Sequence, residues 1–121
     1  MSQAPTTAYK ILSLADWQGL VTSGQYDGSP VDKADGYIHL SAEDQLEGTA
    51  AKHYAGQSDL MLVTVDLSQF GEELVWEASR GGALFPHIYG PLPLSATRTA
   101  RPLNVTAGGE MILGEPTPRP A

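Results

Sequence analysis

His39 and His87 lie in two short stretches almost free of charge, Gly36-Tyr37-Ile38-His39-Leu40-Ser41 and Leu84-Phe85-Pro86-His87-Ile88-Tyr89-Gly90. An imidazole changes charge near neutral pH and can donate and accept hydrogen bonds at once. A pair of them therefore suits general acid–base work or the grip of a ribose hydroxyl. The plainer reading is a strand histidine hydrogen-bonded to a neighbouring loop. Both stretches read as β-strands, in which alternate side chains share a face. Tyr37, His39 and Ser41 then point one way with Ile38 and Leu40 opposite, and Phe85, His87 and Tyr89 project together. Two aromatic and imidazole edges facing one cleft is the expectation.

Other residues extend or compete with that picture. Ser41 opens a helical pattern, so an N-cap is its ordinary role, although the free N–H groups of a capped helix also make an anion site. Arg80 is a cation flanked by Gly81 and Gly82 in an acidic chain. Its guanidinium has room to reach a phosphate or carboxylate, or to pair with Glu77. Trp76 and Glu77 fall on opposite faces of one strand, and the pattern does not choose between solvent and cleft for Glu77. Pro86 removes a backbone donor next to His87, which predicts an edge strand or a bulge, where ligands approach. His39, His87 and Glu77 lack metal-ligand spacing, so no metal site is expected. His53, late in a helical pattern, reads as a surface histidine.

The elements that must position these residues follow from local signals. Tyr9 to Leu12 reads as a strand, with Ser13 capping a helix and Asp16 as its capping-box partner. Leu14, Trp17 and Val21 recur on one face of that helix, and Gly24 ends it. Asp27 to Pro30 is turn chemistry. After the His39 strand, Leu46, Ala50 and Tyr54 form the stripe of a second helix stopped by Gly56. Leu60 to Val65 is an unbroken apolar run, expected as a central strand covered on both faces. Leu74 to Ala78, Leu84 to Tyr89 and Ser95 to Arg101 complete the strands. Helices early and strands late predict a single α+β domain with two helices. Residues 1–7 read as a flexible leader, 8–102 as the folded body and 103–121 as a polar Pro/Gly-containing tail outside the core.

The chain has 121 residues, 41% of them hydrophobic and 17% charged, with a net charge of −7. Such a composition folds, and its acidity opposes a broad nucleic-acid surface, which needs clustered Lys and Arg. Cysteine is absent, which removes disulfides and thiolate chemistry. No signal peptide or membrane-spanning segment is visible, so the expected location is the cytoplasm.

These motifs resemble a bacterial family of small uncharacterised proteins, domain-of-unknown-function family 952. The matching pieces are Tyr9-Lys10-Ile11, Trp17, Ser29-Pro30-Val31-Asp32, Asp35 to Ser41, Trp76-Glu77, Arg80-Gly81-Gly82 and Phe85 to Leu92, covering nearly all of residues 8 to about 97. The order of strand, Trp-bearing helix, His-Leu-Ser strand, helix and Val-x-Val-Asp strand is also distantly similar to RNA 2′-phosphotransferases. That resemblance implies an ADP-ribosyltransferase-like fold, with two small, mostly antiparallel sheets around a cleft that takes NAD. It places His39 and Ser41 at the nicotinamide-ribose end, with Phe85 to Tyr89 as the third wall. Where those transferases carry a first-strand histidine this chain has Lys10, and where many carry a late glutamate it has His87 and Tyr89.

The expected function is a transferase of the ADP-ribosyl or nucleotide-phosphate kind, with a small nucleotide or phosphate ligand as partner and NAD as the implied cofactor. His39 and His87 are the candidate catalytic residues. Lys10 and Arg80 would neutralise phosphate, Tyr37, Phe85 and Tyr89 would stack on a ring, and Ser41 would line the ligand site. The alternative is a non-catalytic module binding a small ligand or a protein through the same cleft.

Overall fold

The central run Leu60–Asp66 (β4) behaves as its apolar composition predicts, pairing antiparallel with Thr7–Ser13 (β1) on one side and Thr97–Val105 (β8) on the other. Side chains alternate across it. Met61, Val63 and Val65 enter a core cluster with Trp17 and Leu20, while Leu60 and Leu62 enter a second with Leu46 and Ala50. The structure, a computed structural model, describes residues 6–78 and 82–118. Arg80 lies outside the described residues.

Local chemistry sets the first helix, Leu14–Ser23 (α1). Ser13 Oγ accepts from the Asp16 N–H at 3.0 Å, and Gly24 closes the helix at φ 88°. Its inner face is Trp17 and Leu20, whereas Leu14 is 39% exposed, so the expected Leu14 stripe is rotated by part of a turn. The expected turn after Asp27 is instead the entry to a short helix, Pro30–Asp35 (α2). Ser29 caps it, Pro30 takes the first position where no N–H is needed, and Asp32 returns a bond to the Ser29 N–H at 2.9 Å. Ser41 is not a helix cap. The following 3₁₀ turn, Glu43–Gln45, starts after Ala42, whose N–H donates to Gln45 Oε1 at 2.9 Å, and it leads into Leu46–His53 (α3).

Besides the large sheet, Gln25–Tyr26 (β2) pairs with Leu92–Pro93 (β7), and a three-stranded sheet has the order Ile38–His39 (β3), Leu84–Ile88 (β6), Leu74–Ala78 (β5). The observed class is α+β, with three sheets and three α-helices among the described residues where two of each were expected. Pro86 sits on the middle strand, not on an edge. Its carbonyl still accepts from the Leu40 N–H at 3.1 Å, so the missing donor is tolerated in a sheet only three strands wide.

The expected leader and tail also give way in part to structure. Thr7 already pairs with Asp66. Beyond residue 102, β8 continues to Val105, and Leu103 and Val105 are buried against α3. Met111–Leu113 (β9) and Thr117–Pro118 (β10) cover opposite ends of the outer edge of β8. An edge strand with unpaired N–H and C=O groups recruits partners even from segments with little apolar periodicity.

One short segment joins the large sheet to the small one. Ile38 and His39 pair with β6, and two residues later Ser41 exchanges both backbone hydrogen bonds with Tyr9 of β1, at 2.8 and 2.9 Å. The sheets diverge from that segment and leave a cleft beside it.

Candidate functional site

The cleft has a volume of ≈ 880 Å³ and is lined from β1, α2, β3, α3 and β6. This lies within the range of small-ligand sites. Tyr37, His39, Ser41, Phe85, His87 and Lys10 all reach it. The alternation expected of the two histidine strands is seen, since Ile38, Leu40 and Ile88 are buried in the core behind them. In front, the Tyr37 ring stacks on His87 with centroids 4.1 Å apart and planes at 25°. It also meets His39 at 4.7 Å and Tyr89 at 5.2 Å, and the two imidazoles are 5.4 Å apart.

Each histidine is held by a carboxylate, in different ways. His87 Nδ1 lies 2.7 Å from Glu77 Oε1, and the same oxygen accepts from the Tyr89 hydroxyl at 2.7 Å. Strand register decides this, because Glu77 stands opposite Phe85 on β5 with its side chain on the cleft-side face of the small sheet. The bonds from His87 and Tyr89 hold the Glu77 carboxyl below the usual range. The same bond to Glu77 pushes the Tyr89 phenol up to about 12. With Nδ1–H donating to a carboxylate, Nε2 of the neutral ring carries the lone pair. Among the described residues Nε2 has no hydrogen-bond partner, and no buried polar side-chain atom there is unsatisfied, so Nε2 stays in contact with solvent.

His39 meets two carboxylates instead. Its Nδ1 is 2.6 Å from Asp32 Oδ1 and its Nε2 is 2.9 Å from Asp35 Oδ2. The Asp32 contact is a hydrogen bond, and the Asp35 contact is an ion pair only when the ring is charged. Asp32 is the hub of this corner, with its side chain 2% exposed. Its oxygens accept from the Ser29 N–H, the His39 N–H at 3.1 Å, the His39 ring and Lys10 Nζ at 3.3 Å, and Lys10 Nζ also forms an ion pair with Oδ2 at 3.0 Å. Burial alone would push the Asp32 carboxyl up. The Lys10 ammonium, the Ser29 N–H and His39 outweigh it and hold the carboxyl below its ordinary range.

Lys10 is therefore spent on Asp32, buried at 6% exposure, and is not a free cation for a phosphate as expected. Ser41 Oγ meets Thr49 Oγ1 at 2.9 Å, which ties it to α3 rather than to a cap. Tyr89 is 45% exposed and reaches the cleft only through Glu77 and Tyr37. Asp32, Asp35, Gln45 of the 3₁₀ turn and the α3 residues Gly48, Thr49 and Lys52 line the site and were passed over by the sequence reading. For Asp32 the signal was present in Ser29-Pro30-Val31-Asp32, a helix start with an acidic third position. Among the described residues, no group of three or more His, Asp or Glu is arranged to hold a metal ion. No helix there is long and apolar enough to cross a membrane.

Three comparisons bear on this arrangement. Residues 11–100 match the model of a protein family of unknown function, DUF952. The crystal structure of protein CC0527 from Caulobacter crescentus is 48% identical, with a TM-score of 0.83 over 88% of this chain and 94% of that one. The solution NMR structure of the same protein is 50% identical, with a TM-score of 0.76 over 87% and 90% of the two chains. No curated protein matches the chain.

Proposed function

The chain belongs to the DUF952 family, and from that premise, which brings no activity with it, we propose that the cleft binds a nucleotide-type small molecule, NAD or a relative, and acts on it as an ADP-ribosyltransferase-like enzyme. The observation that carries this reading is the Glu77–His87 dyad, an imidazole with Nδ1 held at 2.7 Å and Nε2 unpartnered in a cleft of ≈ 880 Å³. That is the arrangement of a general base, whose carboxylate fixes tautomer and orientation while the second nitrogen takes a proton.

The lining fits a nucleotide. Tyr37 and Phe85 offer flat apolar surface for a ring, and the Ser41–Thr49 hydroxyl pair offers oxygens for ribose. Lys10 is matched by Asp32 and Asp35 lies against His39, whereas Glu77 keeps its charge beside the neutral His87. Bound there, such a ligand would supply an activated glycosidic bond. The chain's own part is to stack the ring, hold the ribose and accept at His87 Nε2 the proton of a water or hydroxyl acceptor, whose oxygen bonds the anomeric carbon as nicotinamide leaves. His39, with Nδ1 held by Asp32, positions the wall in this reading.

Titration calorimetry with NAD and chromatographic detection of released nicotinamide test the proposal together. Tyr37→Ala is expected to weaken NAD binding about 5- to 150-fold, in line with ring stacking of about 1–3 kcal/mol. His87→Gln is expected to retain binding and lose about 10²–10⁴ in turnover. Absence of heat with NAD sinks the proposal. Binding without nicotinamide release in the wild type leaves the alternative, a non-catalytic module, which the commitment of Lys10 and His39 to internal partners favours.

A further inference from the structure

Two hydroxyl oxygens that line the cleft lie 2.9 Å apart, Ser41 Oγ and Thr49 Oγ1. A third partner sets the direction of the hydrogen bond between them. Thr49 Oγ1 is also 3.1 Å from the Gln45 carbonyl, one turn back along the chain, and a carbonyl only accepts. Thr49 has one hydroxyl hydrogen, and it goes to Gln45. Ser41 therefore supplies the hydrogen of the bond it shares with Thr49. Run the other way, the carbonyl contact is lost and the Ser41 hydrogen has no acceptor among the described residues. The backbone N–H and C=O of Ser41 are both bonded to Tyr9, so what this residue still offers a ligand is the lone pairs of Oγ.

The surroundings of that oxygen agree with it. Tyr9 pairs directly with Ser41, which puts its side chain on the same face and gives a sugar an apolar flank. The carboxylates of Asp35 and Asp44 line the cleft and, like Oγ, only accept. Of the two lysines in the lining, Lys10 is turned to Asp32 and Lys52 is exposed toward the end of α3. A phosphate brought against Ser41 would set oxygen lone pairs against oxygen lone pairs. We infer that Ser41 is an acceptor-only specificity position, which reads a free hydroxyl of the ligand's sugar and turns away a sugar phosphorylated at that hydroxyl. The inference rests on the proposed reading of the cleft as a nucleotide site, and it narrows the substrate class of that site.

Neutron diffraction from a deuterated crystal tests the direction without any ligand. The Thr49 deuteron is expected toward the Gln45 carbonyl and the Ser41 deuteron toward Thr49; a Thr49 deuteron directed at Ser41 overturns the inference. Titration calorimetry tests the consequence, with NAD analogues in which one ribose hydroxyl at a time is replaced by hydrogen or by fluorine, which cannot donate. At one hydroxyl both replacements are expected to weaken binding about two- to tenfold, the range of a neutral hydrogen bond, and in Ser41→Ala that difference is expected to vanish. The analogue phosphorylated at the same hydroxyl is expected to give no heat. Three results count against Ser41 as the reader: fluoro analogues that all bind like NAD, losses that persist unchanged in Ser41→Ala, or a phosphorylated analogue that binds like NAD. If NAD itself gives no heat the nucleotide reading falls, and the deuteron positions alone uphold or overturn Ser41 as an acceptor.

Discussion

Replacing Asp32 by Asn keeps the shape of the side chain and removes the charge that Lys10, Ser29 and His39 all address. Lys10 and Asp32 side chains are 7% and 2% exposed, so the ammonium left behind loses its hydrogen-bonded counter-ion while largely out of water. Removing one partner of a buried pair in this way costs about 3–5 kcal/mol, a large share of the 5–15 kcal/mol typical of a domain. Asn Oδ1 still accepts one backbone N–H, which places Asp32→Asn toward the lower end. Lys10→Met added to Asp32→Asn removes the stranded charge and should recover at least about 1.5 kcal/mol, a coupling within the range for contacting residues. Urea unfolding followed by the fluorescence of Trp17 and Trp76 measures both; with a slope of about 1–3 kcal/mol/M the single variant should lose at least about 1 M in midpoint. The pH profile adds a sign. The Asp32 carboxyl is held below its unfolded value, so its contribution is present above the unfolded pKa and is lost as pH falls through the folded one. Wild type and Asp32→Asn should therefore converge in acid. A loss under about 1 kcal/mol at neutral pH, or additivity of the two substitutions, refutes the assignment of Asp32 as the hub.

Two further outcomes follow from the carboxylates. Glu77→Gln removes the charged acceptor that raises the Tyr89 phenol to about 12, and Tyr89 should then titrate near the ordinary value of about 10; an NMR pH titration that leaves it at about 12 contradicts the Glu77–Tyr89 bond. Asp66 is held at about 2, first by the Ser68 hydroxyl and also by the Ser68 N–H and Arg98, so it stabilises the fold above about pH 4 and loses that contribution as pH falls toward 2. Ser68→Ala should move this loss to higher pH, seen as an earlier fall in melting temperature on acidification, and superimposable profiles would exclude it.

Signals confined to a few residues were legible in advance. Ser13 and Gly24 bound α1 because a cap is chosen by the atoms within one turn of it. The apolar run of β4 shows its central place because both faces of such a strand must be covered. Period-two alternation put His39 with Tyr37, and His87 with Phe85, on faces that do meet in one cleft, while Tyr89 stands beside it against Tyr37. The helix α2 was passed over because six residues show too little periodicity, although its cap chemistry was present.

What the linear sequence by itself determined is therefore the kind of the longer elements, the faces of the strands and part of the lining of the cleft. Tertiary structure alone decided which charges are free to act. Lys10 meets Asp32 across 22 residues, and Glu77 meets His87 because β5 and β6 pair in one register and not the next. A one-residue slip would turn Glu77 to the other face. Two histidines that look equivalent in the chain thus differ in the fold, His39 set between Asp32 and Asp35 and His87 oriented through Nδ1 alone by Glu77, because hydrogen-bonding capacity is used up by whichever groups folding brings within reach.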